Sequence, residues 1–220
     1  MATGRRPSTS RAELERVALD LFASRGFEET TVDDVAAAAG IGRRTFFRYY
    51  ASKNDAVWGD FDTELEKLRR WFDACPPDTP LMDAVHAGVV EFNRLPRAEE
   101  PWHRRRMALI LNTPALQAHS THMYARWRAV IAEFVAKRTG ARTEDMIPQL
   151  IAYAALGAAV AAYEQWLRDE GEELEPLLDV AMGELQRGFG GHEPGEPMPP
   201  AGCTSGGRRR GPGRGSPRAG

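Results

Sequence analysis

The stretch from Thr31 to Lys53, TVDDVAAAAGIGRRTFFRYYASK, is the strongest constraint on the fold, because it sets two short helices against each other across a glycine. Thr31 followed by Asp34 is a capping pair, and Val32, Val35, Ala36 and Ala39 form one apolar face. Gly40 supplies the left-handed backbone that a tight turn needs, and a further helix runs from about Arg43 to Tyr49. Upstream, Ser10 and Glu13 cap a helix over about residues 11–24, with Leu14, Val17, Ala18, Leu21 and Phe22 on its inner side and Gly26 at its end. Three helices with a glycine-containing turn between the second and third predict a helix-turn-helix.

Helical periodicity continues through the rest of the chain. Ser52 with Asp55 caps a fourth helix that reaches Phe72, and Pro76-Pro77 closes it. Further helices are expected at about 80–94, 101–112, 114–138, 143–169 and 173–188, with Pro96, Pro114, Gly140 and Gly171 at their boundaries. With no alternating strand pattern, the predicted fold is all-α, about nine helices. The organisation reads as a DNA-binding unit at 1–52, a helical ligand-binding and dimerisation unit at 53–189 and a Gly/Pro/Arg-rich tail at 190–220. The tail has little apolar surface to bury and is expected to be disordered, with Arg208 to Arg210, Arg214 and Arg218 free for weak phosphate contact.

A net charge of −2 is unusual for a nucleic-acid binder, so the distribution of charge decides. Arg43, Arg44, Arg48 and Lys53 lie in a stretch free of acids, and such a local stripe is what steering to phosphate requires. Cys75 and Cys203 are a poor basis for a disulfide framework, which fits a reducing cytoplasm. No apolar stretch follows the amino-terminal arginines, and the run Leu150 to Tyr163 falls short of the ~20 residues of a membrane span. It is expected to be a buried helix, and no membrane partner is expected.

In a helix-turn-helix the second helix turns its early residues to base edges while flanking groups hold phosphates. Arg43 and Arg44 are assigned to base readout, since arginine pairs bidentately with guanine. Thr45 is small enough to permit close approach, and Phe47, Arg48 and Tyr49 are expected against sugar and phosphate. Thr31 and Lys53 begin neighbouring helices and complete a phosphate clamp. A basic helix face is usually only solvated; here its position after a glycine turn, with exposed aromatics beside arginines, favours double-stranded operator DNA.

The run TVDDVAAAAGIGRRTFFRYYASKNDAV resembles the amino-terminal domain of the TetR family of bacterial one-component regulators. The resemblance implies a helical ligand-binding and dimerisation domain after it, phosphate contacts from Thr31, Thr45, Tyr49 and Lys53, and base reading by Arg43 and Arg44. Phe47 stands where the family commonly has a tyrosine, and Gly42 where a serine often caps the reading helix. The segments GIGRRTFFRYYASKNDAVWGDF, PWHRRRMALILNTPALQAHS and AALGAAVAAYEQWL together resemble the subgroup associated with mycofactocin biosynthesis genes. That resemblance implies an actinobacterial source and a regulon tied to mycofactocin-dependent redox metabolism.

All five tryptophans lie beyond Lys53. For the ligand site the expected lining is Phe61, Phe92, Trp102, Arg106, Met107, Ile110, Tyr124, Trp127 and Tyr163, an apolar set with one cation. Arg104, Arg105, Arg106, Arg126 and Arg128 cannot all share a face, and those turned inward suit an anionic headgroup. An apolar ligand carrying phosphate or carboxylate, such as a long-chain acyl-CoA, is the expected effector. His119 and His122 lack the partners of a metal site, and no cofactor is expected. No P-loop, GxSxG or HExxH is present, so an enzyme is not expected; an all-helical binding protein or enzyme without specific DNA binding is the alternative. Ala158, Ala162 and Trp166, with Leu178, Ala181 and Leu185, are expected to pair two copies as a homodimer on a pseudo-palindromic operator. Negative regulation is expected, with ligand moving the helix that begins at Lys53 and changing the spacing of the two reading heads.

Overall fold

A computed structural model describes residues 10–188, and it is helical among them. The helices are α1 (Arg11–Arg25), α2 (Val32–Ala38), α3 (Arg43–Tyr49), α4 (Lys53–Trp58), α5 (Phe61–Ala74), α6 (Leu81–Phe92), α7 (Glu100–Asn112), α8 (Pro114–Thr139), α9 (Met146–Arg168) and α10 (Leu174–Arg187), with a 3-10 turn before α7. The residues of the Arg-rich tail, Cys203 and Phe189 lie outside those described.

Local chemistry sets the first three helices. The Ser10 hydroxyl accepts from the Glu13 N–H at 3.1 Å, and Leu14, Ala18, Leu19 and Phe22 of α1 turn inward. At α2 the Thr31 side chain and the Asp34 carboxylate cap each other's backbone, a complete capping box. Gly40, at φ 66°, ends α2 in a Schellman turn: its N–H donates to Ala37 O at 3.0 Å and the Ile41 N–H to Ala36 O at 2.9 Å. α3 starts at Gly42 without a side-chain cap and is anchored by Phe46, which is fully buried.

One predicted helix is two. The helix expected to run from Lys53 to Phe72 breaks at Gly59, at φ 69°, and resumes at Phe61. A Cβ at Gly59 would lie 2.8 Å from the Glu15 carboxylate, so the break makes room for a charged side chain of α1. α4 thereby becomes a short element packed against α1 and α7.

The remaining helices form the larger core, with α9 packed between α8 and α10 and α5 laid on α8. Phe72 and Phe134 stack there with centroids 4.3 Å apart. α9 is long and apolar enough by composition to cross a membrane, and here it forms part of the core. Its inner side buries Ala152, Ala155, Ala159, Ala162, Tyr163 and Trp166. Its outer side exposes Met146 (75 %), Ile147 (49 %), Leu150 (57 %) and Tyr153 (57 %), continued by Gly157 and Ala161.

This geometry divides the residues expected at the pairing surface. Ala162, Trp166 and Leu178 are buried within the protomer, while Ala158, Ala181 and Leu185 are half-buried at its edge. A helix apolar on every side does not reveal from sequence which stripe faces its own core.

Candidate nucleic-acid interface and ligand cavity

On α3, Arg43, Arg44, Phe47 and Arg48 are exposed, while Thr45 and Tyr49 are half-buried. Arg43 is held from two sides: its guanidinium reaches Asp33 Oδ2 of α2 at 2.8 Å and lies 5.2 Å from the centre of the Phe47 ring. Arg44 makes no polar contact among the described residues. Arg48 lies over the Tyr49 ring at 5.2 Å, and Arg11 donates to the Tyr49 carbonyl at 3.1 Å. The face is therefore cationic and aromatic, presented by a helix whose opposite side is fixed by Phe46.

Two clamp residues are engaged more than expected. The Thr31 hydroxyl is bonded to Asp34 at 2.5 Å, and the two hydrogen bonds from Thr31 hold the Asp34 carboxyl below its usual pKa. The Lys53 ammonium is 2.8 Å from Phe27 O, 3.2 Å from Thr30 O and 3.3 Å from Glu28 O, and lies over the Phe27 ring. Its three donors meet three carbonyls, so Lys53 staples the α1–α2 connection instead of presenting a free ammonium.

A cavity of about 550 Å³ opens between the reading head and the larger core. Phe61, Phe92, Arg106, Met107, Ile110, Tyr124, Trp127 and Tyr163 line it, joined by Trp58, Leu156, Ala159 and Val160. Its size and apolar lining are those of a small-molecule pocket. Arg11, Ala12 and Glu15 of α1 form part of the wall, and Asp60, Glu64, Lys67 and Arg94 give it a charged portion. Trp102 is not in this wall: it is half-buried under Arg105, whose guanidinium lies 5.0 Å from its ring. A second hollow of about 460 Å³, between α5, α6 and α10, sets Trp71, Ala87 and Val90 beside the charged or polar Asp83, His86, Glu91, Arg94, Glu175 and Asp179, and α1 takes no part in it.

A polar chain crosses the cavity wall. The Tyr163 hydroxyl donates to Asn93 Oδ1 at 2.6 Å and Asn93 Nδ2 donates to Val89 O at 2.7 Å, so Tyr163 accepts from His103 Nε2 at 2.7 Å. Burial, with the nearby Arg106 charge, pushes the His103 pKa down to about 3, and burial pushes the Tyr163 pKa up. Both groups are neutral near pH 7.

The three consecutive arginines of α7 go three ways. Arg104 donates to the carbonyls of Trp166, Asp169 and Glu172 and so caps the end of α9. Arg105 pairs with Asp20 and Arg106 with Glu15, each at 2.8 Å, tying α7 to α1. Arg126 pairs with Asp62, and Arg128 lies over Tyr153. Neither lines the cavity. His119 faces Asp55 at 3.2 Å and His122 is exposed; among the described residues no group of three His, Cys, Asp or Glu side chains is placed to hold a metal.

Sequence reasoning missed Glu15, Tyr50, Asn93 and His103. Glu15 accepts from the Tyr50 hydroxyl at 2.6 Å and from Arg106, contacts far apart in sequence. The one local signal was a glutamate beside Leu14 on the inner half of α1.

The comparisons with known proteins agree with this architecture. Residues 16–55 match the profile for bacterial regulatory proteins of the tetR family, and residues 79–190 match the MftR C-terminal domain. A Mycobacterium tuberculosis protein named for the regulation of mycofactocin biosynthesis, MftR, is 49 % identical over 186 residues, 84 % of this chain and 94 % of that protein. The transcriptional regulator TcmR of Streptomyces glaucescens is 29 % identical over 177 residues, 76 % of this chain and 77 % of its own. Two solved structures share the fold: FadR of Bacillus halodurans (TM-score 0.58, 15 % identity, 85 % of this chain and 98 % of that one) and FadR of Thermus thermophilus in complex with lauroyl-CoA (TM-score 0.51, 22 % identity, 86 % and 100 %). With its helix-turn-helix head and its MftR-type helical second part, the chain belongs to the TetR family of bacterial transcriptional regulators.

Proposed function

We propose that the protein is a homodimeric repressor that leaves its operator when an apolar, anionic ligand fills the cavity between its reading head and its core. The observation that carries this reading is that α1, a helix of the reading head, supplies part of the cavity wall. A ligand there touches the DNA-binding unit directly. Arg44 and Arg43 are the base readers of this proposal, with Thr45, Phe47, Arg48 and Tyr49 at backbone and sugar. Thr31 and Lys53 serve chiefly to fix the geometry of that face.

The apolar interior with a charged portion suits an acyl chain with an acidic headgroup, and a long-chain acyl-CoA is the effector class proposed; the lauroyl-CoA complex of Thermus FadR supports that choice. The exposed stripe Met146, Ile147, Leu150 and Tyr153 of α9 supports pairing of two copies, which suits a pseudo-palindromic operator. The similarity to MftR supports a regulon of mycofactocin-related redox genes and a cytoplasmic site of action. No reaction is proposed.

Ligand changes an equilibrium only through its different affinity for two states, and a ~100-fold loss of operator affinity needs ~2.7 kcal/mol of coupling. Fluorescence anisotropy of labelled DNA from upstream of the protein's own gene, compared with scrambled DNA, tests the reading with lauroyl-CoA as probe. Selective binding that collapses with lauroyl-CoA is expected. Selective binding indifferent to it would end the effector class, and equal binding of both DNAs at every salt concentration would favour a helical ligand-binding protein without operator specificity.

A further inference from the structure

We infer that Glu15 occupies, in the empty protein, the position that the ligand's anionic group takes on Arg106, so that one anion displaces another. This rests on the ligand-responsive reading above. Glu15 and Arg106 both line the cavity, and their side chains are 14 % and 25 % exposed. The Arg106 guanidinium gives Glu15 one donor at 2.8 Å, while its Nε is buried without a hydrogen-bond partner. A buried donor left over beside an apolar chamber is a vacancy for an acceptor, and guanidinium is suited to two parallel bonds with a carboxylate or phosphate. An incoming anion that takes both donors must evict Glu15.

Eviction is felt at the reading helix. The second Glu15 oxygen accepts from the hydroxyl of Tyr50, the residue that ends α3, at 2.6 Å. The neighbouring cavity residue Arg11 holds the adjacent Tyr49 carbonyl and lies 5.1 Å from the Tyr50 ring centre. The end of α3 is thus held by two α1 side chains that also border the cavity. The same carboxylate fills the space beside Gly59 that a side chain would take, so Glu15 also borders the α4–α5 break. A carboxylate stripped of its arginine in this enclosure is costly, and moving α1 and α3 relieves it.

Hydrogen exchange and calorimetry test this without DNA. In the empty protein, Arg106→Gln should raise amide exchange across residues 43–50 while leaving α9 unchanged; unaltered exchange at 43–50 would overturn the inference whether or not any ligand is known. Calorimetry uses lauroyl-CoA and, as the uncharged chain, dodecan-1-ol. Glu15→Gln should bind lauroyl-CoA about tenfold more tightly and Arg106→Gln about tenfold more weakly, with dodecan-1-ol little changed in either. Glu15→Gln binding lauroyl-CoA no better than the parent would overturn the inference. Failure of the parent to bind either probe would instead strike at the ligand reading, leaving the exchange result to decide this one. Should Glu15→Gln or Arg106→Gln not fold, Tyr50→Phe serves: with its bond to Glu15 gone, exchange at 43–50 should already be raised before ligand and should not rise further with lauroyl-CoA, and a retained ligand-induced rise would overturn the coupling.

Discussion

The reading head and the cavity region both depend on arginine, and they use it in opposite ways. On α3, Arg44 projects from a short helix without a polar partner among the described residues, and Arg43 is held only at the surface, by Asp33 and Phe47. On α7, Arg104, Arg105 and Arg106 are each bound to another helix or to the loop beyond it. An exposed arginine is available to an outside anion, whereas a paired one responds only by exchanging partners. The first arrangement suits recognition and the second suits switching.

The sharpest test of the contrast sets adjacent side chains of α3 against each other. Phe46→Ala should cost about 3–5 kcal/mol in denaturant unfolding, because a fully buried ring leaves a hole. Phe47→Ala, at a position 43 % exposed, should stay within about 0.5 kcal/mol and act on DNA affinity instead. Similar stability losses for both would break the division between anchor and reading face.

The cavity side predicts a pH effect. His103 is neutral in the folded protein with a pKa near 3, whereas an unfolded histidine titrates near 6.5. Between those values the unfolded chain binds more protons, so stability falls as pH drops through 6.5 towards 3, by up to about 1.4 kcal/mol per pH unit from this group. His103→Gln should flatten that part of the profile relative to the parent, and an unchanged slope would remove His103 as its source.

Smaller effects separate reader from staple. Arg44→Ala should lose about 1–3 kcal/mol on preferred DNA and little on scrambled DNA. Lys53→Ala should lower stability by about 1–3 kcal/mol, as three carbonyls lose a charged donor. A Lys53 variant of unchanged stability that binds every DNA more weakly would restore it to the phosphate clamp. Gly40→Ala, which forces a side chain into the left-handed region, should cost about 1–2 kcal/mol.

Legibility in the sequence followed the range of the interactions. α1, α2 and α3 are set by caps and turns within a few residues, and their expected bounds match the observed helices closely. The break at Gly59 rests on a glycine at positive φ followed by Asp60 at the next N-cap, a signal overridden in the sequence by apolar periodicity on both sides, and the Glu15 carboxylate that fills the space beside it lies more than forty positions away. Aromatic composition pointed to the cavity lining, yet Trp102 faces away from it, because neighbouring positions on α7 diverge around the helix. The polar chain His103–Tyr163–Asn93 joins three helical regions and carries no local signature.

On the proposed pairing of two copies, the outward stripe of α9 links the lifetime of the protein to its abundance. Met146, Ile147, Leu150 and Tyr153 in water cost free energy that such a pairing would remove, and the unfolding midpoint should then rise with protein concentration. A protomer made too sparsely to find its twin leaves that surface open to chaperones and proteases, and scarcity itself then shortens its survival.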